Sequence, residues 1–128
     1  MLEIETIERG WPGHFIGADN CSFTRNTLVR YGDKKVVVST VGRYFPKGSD
    51  EVEEVGLDRY FETTAFWADD TKFADADVSE RLHLEGKASI GHARPEADIV
   101  ADTMHNNRVE EVKGRIKYEQ KSGEESSR

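Results

Sequence analysis

The chain has 128 residues, of which 36% are apolar, and 18 basic against 25 acidic side chains give a net charge of −7. That length fits one domain with a modest core, and the acidic balance excludes non-specific nucleic-acid binding, which needs a net positive face. No apolar run reaches the roughly 18 residues of a membrane-spanning helix, and the single cysteine excludes a disulfide framework within the chain.

Met1-Leu2-Glu3-Ile4-Glu5 lacks a basic region followed by an apolar run, so no signal peptide is expected. Leu2, Ile4 and Thr6 alternate with Glu3 and Glu5, the period-two pattern of a half-buried strand. Gly10-Trp11-Pro12-Gly13 breaks the pattern, and His14-Phe15-Ile16 is a short apolar piece ended by Gly17. Thr27–Tyr31 and Lys35–Val41 are dense in β-branched residues, and Gly32-Asp33-Lys34 between them predicts a hairpin. Gly42–Asp50 reads as a loop and Arg59–Ala68 as a further strand, which Asp69-Asp70 turns toward Thr71-Lys72-Phe73. Arg81–Glu85 alternates again and stops at Gly86. The reading is about six strands joined mostly by short turns, which implies antiparallel neighbours.

Arg94-Pro95-Glu96 places Pro and an acid in the first turn of a C-terminal helix. At 3.6 residues per turn Ala97, Val100, Ala101, Met104, Val112 and Ile116 share one broad face, with Val109 at its margin. His105 and Arg108 fall within or beside that arc, where a polar group without a partner costs about 1–3 kcal/mol. The fold class expected is α+β: an antiparallel sheet of about six strands with the helix packed on one face. Residues 1–121 form one domain, and 122–128 are expected to be a disordered tail.

Few patterns carry chemistry. No histidine pair has the spacing of a zinc protease helix, and no cofactor or metal site is implied. Asp75 and Asp77 would share a strand face, but charge on an edge strand is the simpler account. Cys21 reads as a small buried residue rather than a nucleophile, and Ser39 and Thr40 lie inside a strand rather than on an exposed elbow. Asn20-Cys21-Ser22 spells a glycosylation sequon that has no meaning without secretion.

The densest aromatic stretch is Arg59-Tyr60-Phe61-Glu62-Thr63-Thr64-Ala65-Phe66-Trp67. Arg25, Arg30, Arg43 and Arg59 are interleaved with aromatics, and rings with guanidinium forks supply the stacking face and anion clamp that a nucleotide needs. The expected site therefore has Arg25, Arg43 and Arg108 on phosphate, Tyr60 and Trp67 stacking, and Glu62, His14 and His105 on polar edges.

Glu8–Ile16, Arg25–Leu28, Val38–Gly42, Arg59–Thr63, Asp75–Ser79 and Met104-His105 taken together resemble a group of small phage- and prophage-encoded proteins of unassigned activity. The resemblance implies a phage accessory protein in the bacterial host cytoplasm. Such proteins are often similar to counter-defence factors, among them sponges that sequester nucleotide-derived immune signals. The function expected is therefore capture of a small phosphorylated or nucleotide-like ligand by a homo-oligomer, with no membrane partner. Two rivals stand beside it: a nucleotide-acting hydrolase or lyase using histidine and Glu62 as acid and base, and an anti-CRISPR-type inhibitor whose acidic surface meets a host protein.

Overall fold

A computed structural model describes residues 3–10, 13, 17–57, 59–68, 83–91, 94 and 96–118. Within them the chain forms β1 (Ile4–Glu8), a short 3-10 turn (Ala18–Asn20), β2 (Cys21–Tyr31), β3 (Lys34–Tyr44), β4 (Phe61–Trp67), β5 (His83–Ile90) and the helix α1 (Ala97–Arg115). The strands make one antiparallel meander in the order β1-β2-β3-β4-β5, and α1 packs across it, so the fold is α+β. Five strands are described where about six were expected. The expected pieces at 14–16 and 71–73, the Asp75/Asp77 pair and the 122–128 tail lie outside the described residues.

Three boundaries differ from the sequence reading. β2 begins at Cys21 rather than Thr27, because pairing with the second half of β3 carries the polar stretch Ser22–Asn26 into the ladder. β3 accordingly runs on to Tyr44, where a loop was expected from Gly42. β5 does not stop at Gly86: Thr63 pairs with Ala88 and Ala65 with Leu84, so Gly86 falls in the extra length of a register shift, a place that suits a residue without a side chain.

Alternation sorts the sheet into two faces. Toward the helix lie Val29, Val36, Val38, Ala65 and Trp67, which join Val109, Val112 and Ile116 in one apolar cluster. A second cluster of Phe61, Ile90, Ala97 and Ala101 holds the start of the helix. Leu28, Val37, Val41 and Phe66 occupy the opposite face and are also buried. Part of their cover is Gly13: a Cβ built on it, at φ 142, would come within 2.5 Å of Val41 Cγ1 and 3.1 Å of Ser39 Oγ. Both faces of the sheet are thus interior, which is why every residue of β4 is buried.

The helix presents Ala97, Ala101, His105, Arg108, Val109 and Val112 to the sheet. This corrects the expected face. Val109 lies inside it, while Val100 is 55% exposed. The stripe is turned toward the Asp98–Asp102 edge, because Arg43 and Arg25 hold those two carboxylates from the sheet. Asp98 in the first turn and Lys113 and Arg115 in the last match the helix dipole.

Gly42 is required by packing. The Phe61 ring lies where its side chain would be, 2.0 Å from a Cβ built there, and meets Phe23 edge-on at 6.0 Å. Gly42→Ala must displace a fully buried ring, so it should destabilise the fold by about 1–3 kcal/mol, seen as a lower midpoint in urea with an unchanged slope.

Candidate functional site

Three strands carry a polar dipeptide at mid-length: Asn26-Thr27 in β2, Ser39-Thr40 in β3 and Thr63-Thr64 in β4. Pairing brings them side by side. Asn26 opposes Ser39, which opposes Thr64, while Thr40 opposes Thr63 and Arg25. The result is a buried polar belt across the sheet, with one row on each face. All six residues are at most 2% exposed.

On the helix face the belt is fully connected. His105, with no exposed surface, sits between Thr27 (Nε2 to Oγ1, 2.8 Å) and Thr40 (Nδ1 to Oγ1, 2.7 Å), and Thr40 meets Thr63 at 2.5 Å. Thr27 donates its hydroxyl proton to the Glu8 carboxylate. These partners assign the tautomer. A hydroxyl committed to Glu8 can only accept from the ring, so Nε2 carries the proton, Nδ1 accepts from Thr40, and Thr40 accepts from Thr63. The chain therefore runs in one direction, from Thr63 to Glu8.

Arg25 closes the chain at the surface. It donates to Glu8 (Nη2, 2.9 Å), Asp102 (Nη1, 2.9 Å) and Asn106 (Nη1, 2.7 Å). Burial works to raise the Glu8 pKa, but the bonds from Thr27 and Arg25 and the Arg25 charge hold it below its ordinary value. Burial pushes His105 down to about 4, helped by the Arg25 charge and opposed by Glu8 and Asp102. At neutral pH the ring is uncharged and both its nitrogens are occupied.

The opposite face ends differently. Arg9, whose N–H bonds the Asn26 carbonyl, continues the register beyond β1, so Arg9, Asn26, Ser39 and Thr64 form one row. Asn26 is 1% exposed, and among the described residues neither its Oδ1 nor its Nδ2 has a hydrogen-bond partner. Arg9 is half-buried, and burial lowers its pKa, the mark of a charge held in a poorly solvated place. Glu62 lies one row away on this face and pairs with Arg59 at 3.3 Å.

The predicted site residues thus occupy several places. Arg25 and His105 meet through Thr27 and Glu8. Arg43 reaches the helix through a left-handed backbone, φ 52, which breaks strand alternation and lets Nη2 and Nε bond Asp98 at 2.9 and 3.2 Å. Tyr60 packs on the Phe61 cluster, Trp67 lies in the core beside Val112, and Arg108 bonds Glu111. Glu62 is across the sheet from His105, and His14 lies outside the described residues. Sequence reasoning missed Glu8, Arg9, Asn26, Thr27, Thr63 and Thr64. The signal available was the recurrence of a polar dipeptide inside each strong strand.

Cys21 is half-buried, and burial pushes its thiol up to about 11, which does not suit a nucleophile. Among the described residues no group of three His, Cys, Asp or Glu side chains is placed to hold a metal ion, and no helix is long and apolar enough to cross a membrane. In comparisons with known proteins, no family model, curated protein or solved structure matches the chain.

Because the folded state binds the His105 proton less tightly than the unfolded chain, this residue supports stability above its ordinary pKa near 6.5 and loses that support as pH falls toward 4. Acidification from pH 7.5 to 5 should cost on the order of 2 kcal/mol through His105. The expected signature is a falling Tm over that range. His105→Gln should have a lower Tm at pH 7.5 and a flatter profile; an equal slope in both proteins would place the effect elsewhere.

Proposed function

We propose that the protein captures a small nucleotide-derived ligand and releases it unchanged, with half-buried Arg9, beside buried Asn26 at the end of the opposite-face row, as the point of recognition. One observation carries this reading: the buried Asn26 carboxamide with both polar atoms unbonded among the described residues. A buried amide in that state costs about 1–3 kcal/mol, and a ligand edge that bonds both atoms recovers it. Half-buried Arg9 at the end of the same row sets a cationic group beside that amide, a mixture suited to a ligand that is anionic in one part and polar in another.

Capture fits the geometry better than turnover. Of the histidines that could work with Glu62, His105 lies on the opposite face of the sheet and has no free nitrogen for proton transfer. The inhibitor reading is weakened because the acids are mixed with bases rather than arranged in blocks, and Glu8, Asp98, Asp102 and Glu111 are each engaged by an arginine. The resemblance to small phage proteins supports a sequestering role in a bacterial host. A homo-oligomer belongs to the same reading, since Ile99 and Val100 are apolar surface on the outer side of the helix that a second copy would cover.

The test is calorimetric titration with mononucleotides, cyclic dinucleotides and ADP-ribose, followed by heat release and mass spectrometry. The expected result is saturable binding of at least one compound, recovered with its mass unchanged. A recovered ligand of altered mass would establish an enzyme, and no binding at millimolar concentration would end the capture reading.

A further inference from the structure

We propose that the outer edge of β1 pairs with the same edge of a second copy of this chain, antiparallel and two-fold symmetric about Ile7. The inference goes beyond the capture reading and names a contact other than the helix surface at Ile99 and Val100. It stands or falls without any ligand.

Among the described residues β1 ends the sheet, and Glu5, Thr6, Ile7 and Glu8 are exposed along it. The Arg9 N–H bonds the Asn26 carbonyl. Such pairs alternate along an antiparallel ladder. Glu5, Ile7 and Arg9 therefore turn N–H and C=O toward β2, while Ile4, Thr6 and Glu8 turn theirs outward. A row of outward backbone groups is a template for another strand, and charged side chains commonly guard such an edge. On this edge the charges are complementary to their own reverse.

Self-pairing must set outward residues against outward residues, so the two-fold passes through a residue of β1. At Glu5 or Glu8 it would bring like charges opposite, and at Ile4 it would do so through Glu3 and Glu5. At Thr6 it would set each Ile7 against a glutamate. At Ile7 the edges match. Thr6 and the partner's Glu8 exchange backbone bonds, and the threonine hydroxyl can donate to that carboxylate. On the opposite face Glu5 meets the partner's Arg9, and Ile7 meets the partner's Ile7. These are non-hydrogen-bonded pairs, where side chains come closest, and the two-fold repeats each contact. The groups suit these roles. Both Arg30 bonds to Glu5, from Nε at 2.8 Å and Nη2 at 2.7 Å, go to Oε1, which leaves Oε2 for a second cation. Ile7 is 42% exposed at the outer end of the apolar row Ile7–Leu28–Val37–Phe66, and the partner's Ile7 continues that row across the axis. A guanidinium carries several donors in a fork, so Arg9 can meet this carboxylate and a ligand together.

The experiment is sedimentation equilibrium of the full chain at micromolar concentration and low salt, with circular dichroism to confirm folding. The native protein should sediment at twice the chain mass. Thr6→Pro removes an outward N–H that β2 does not use, a place where an edge strand tolerates proline, and should sediment at the chain mass while folded. Glu5→Lys gives up only an exposed pair with Arg30. It and Arg9→Glu each set like charges opposite in a self-pair, so each alone should be a monomer. Mixed in equal amounts, the two variants present complementary edges and should return to twice the chain mass. Val100→Glu should keep the native mass. A native protein at the chain mass overturns the inference, and nucleotide binding by that monomer would leave capture standing. A folded Thr6→Pro that still sediments at twice the mass, or a mixture that stays monomeric, also overturns it. Loss of the dimer in Val100→Glu alone would move the contact to the helix. Should Thr6→Pro fail to fold, the mixing result decides.

Discussion

The structure turns on one buried hydrogen-bond chain, Thr63–Thr40–His105–Thr27–Glu8. His105 stands at the middle of the helix's buried stripe, between an apolar cluster that holds the start of α1 and another that holds its end. An apolar residue there would leave the Thr40 hydroxyl without its acceptor and Thr27 without its second bond. The imidazole meets both, and Thr63 pairs within the row. Once His105 is placed, Asp98 and Asp102 come to the edge of the sheet, where Arg43 and Arg25 hold them.

That placement decides which residues are available for function. The arginines near the helix spend their donors on carboxylates, and Trp67 spends its ring on the core. Neither supplies a free clamp or a free stacking face. The sheet's other side is built from the neighbouring residues of the same dipeptides, and alternation sends them away from the helix. The polar belt is therefore double, and its two rows differ. One is closed by a histidine and a carboxylate; the other contains Asn26, whose amide bonds nothing among the described residues. This asymmetry is the main argument for recognition on the second face.

The glycines and the strained arginine follow from the same close packing. Gly42 makes room for Phe61, and Gly13 lies close against Val41 and Ser39. Arg43 accepts a left-handed backbone, which for a bulky side chain costs about 1–3 kcal/mol, and it gains a two-point contact with Asp98. The strain sits at the end of β3, where the ladder with β4 gives way to the loop and alternation can be broken without disturbing the belt.

The α+β class, the hairpin at Gly32-Asp33, the strong strands and the C-terminal helix were legible in the sequence, because each depends on local period and turn chemistry. His105 and Arg108 could also be seen as polar residues on an apolar stripe. The rotation of the helix could not: two arginines distant in sequence pull its Asp98–Asp102 edge inward, and a helical wheel contains no partner. Nor could the belt be read, since Asn26-Thr27, Ser39-Thr40 and Thr63-Thr64 become one feature only through strand register. The sequence by itself determined which segments are strands and which residues are polar within them. Only the tertiary structure decided which of those polar groups meet, because hydrogen-bond partners across strands and between helix and sheet are set by register and face.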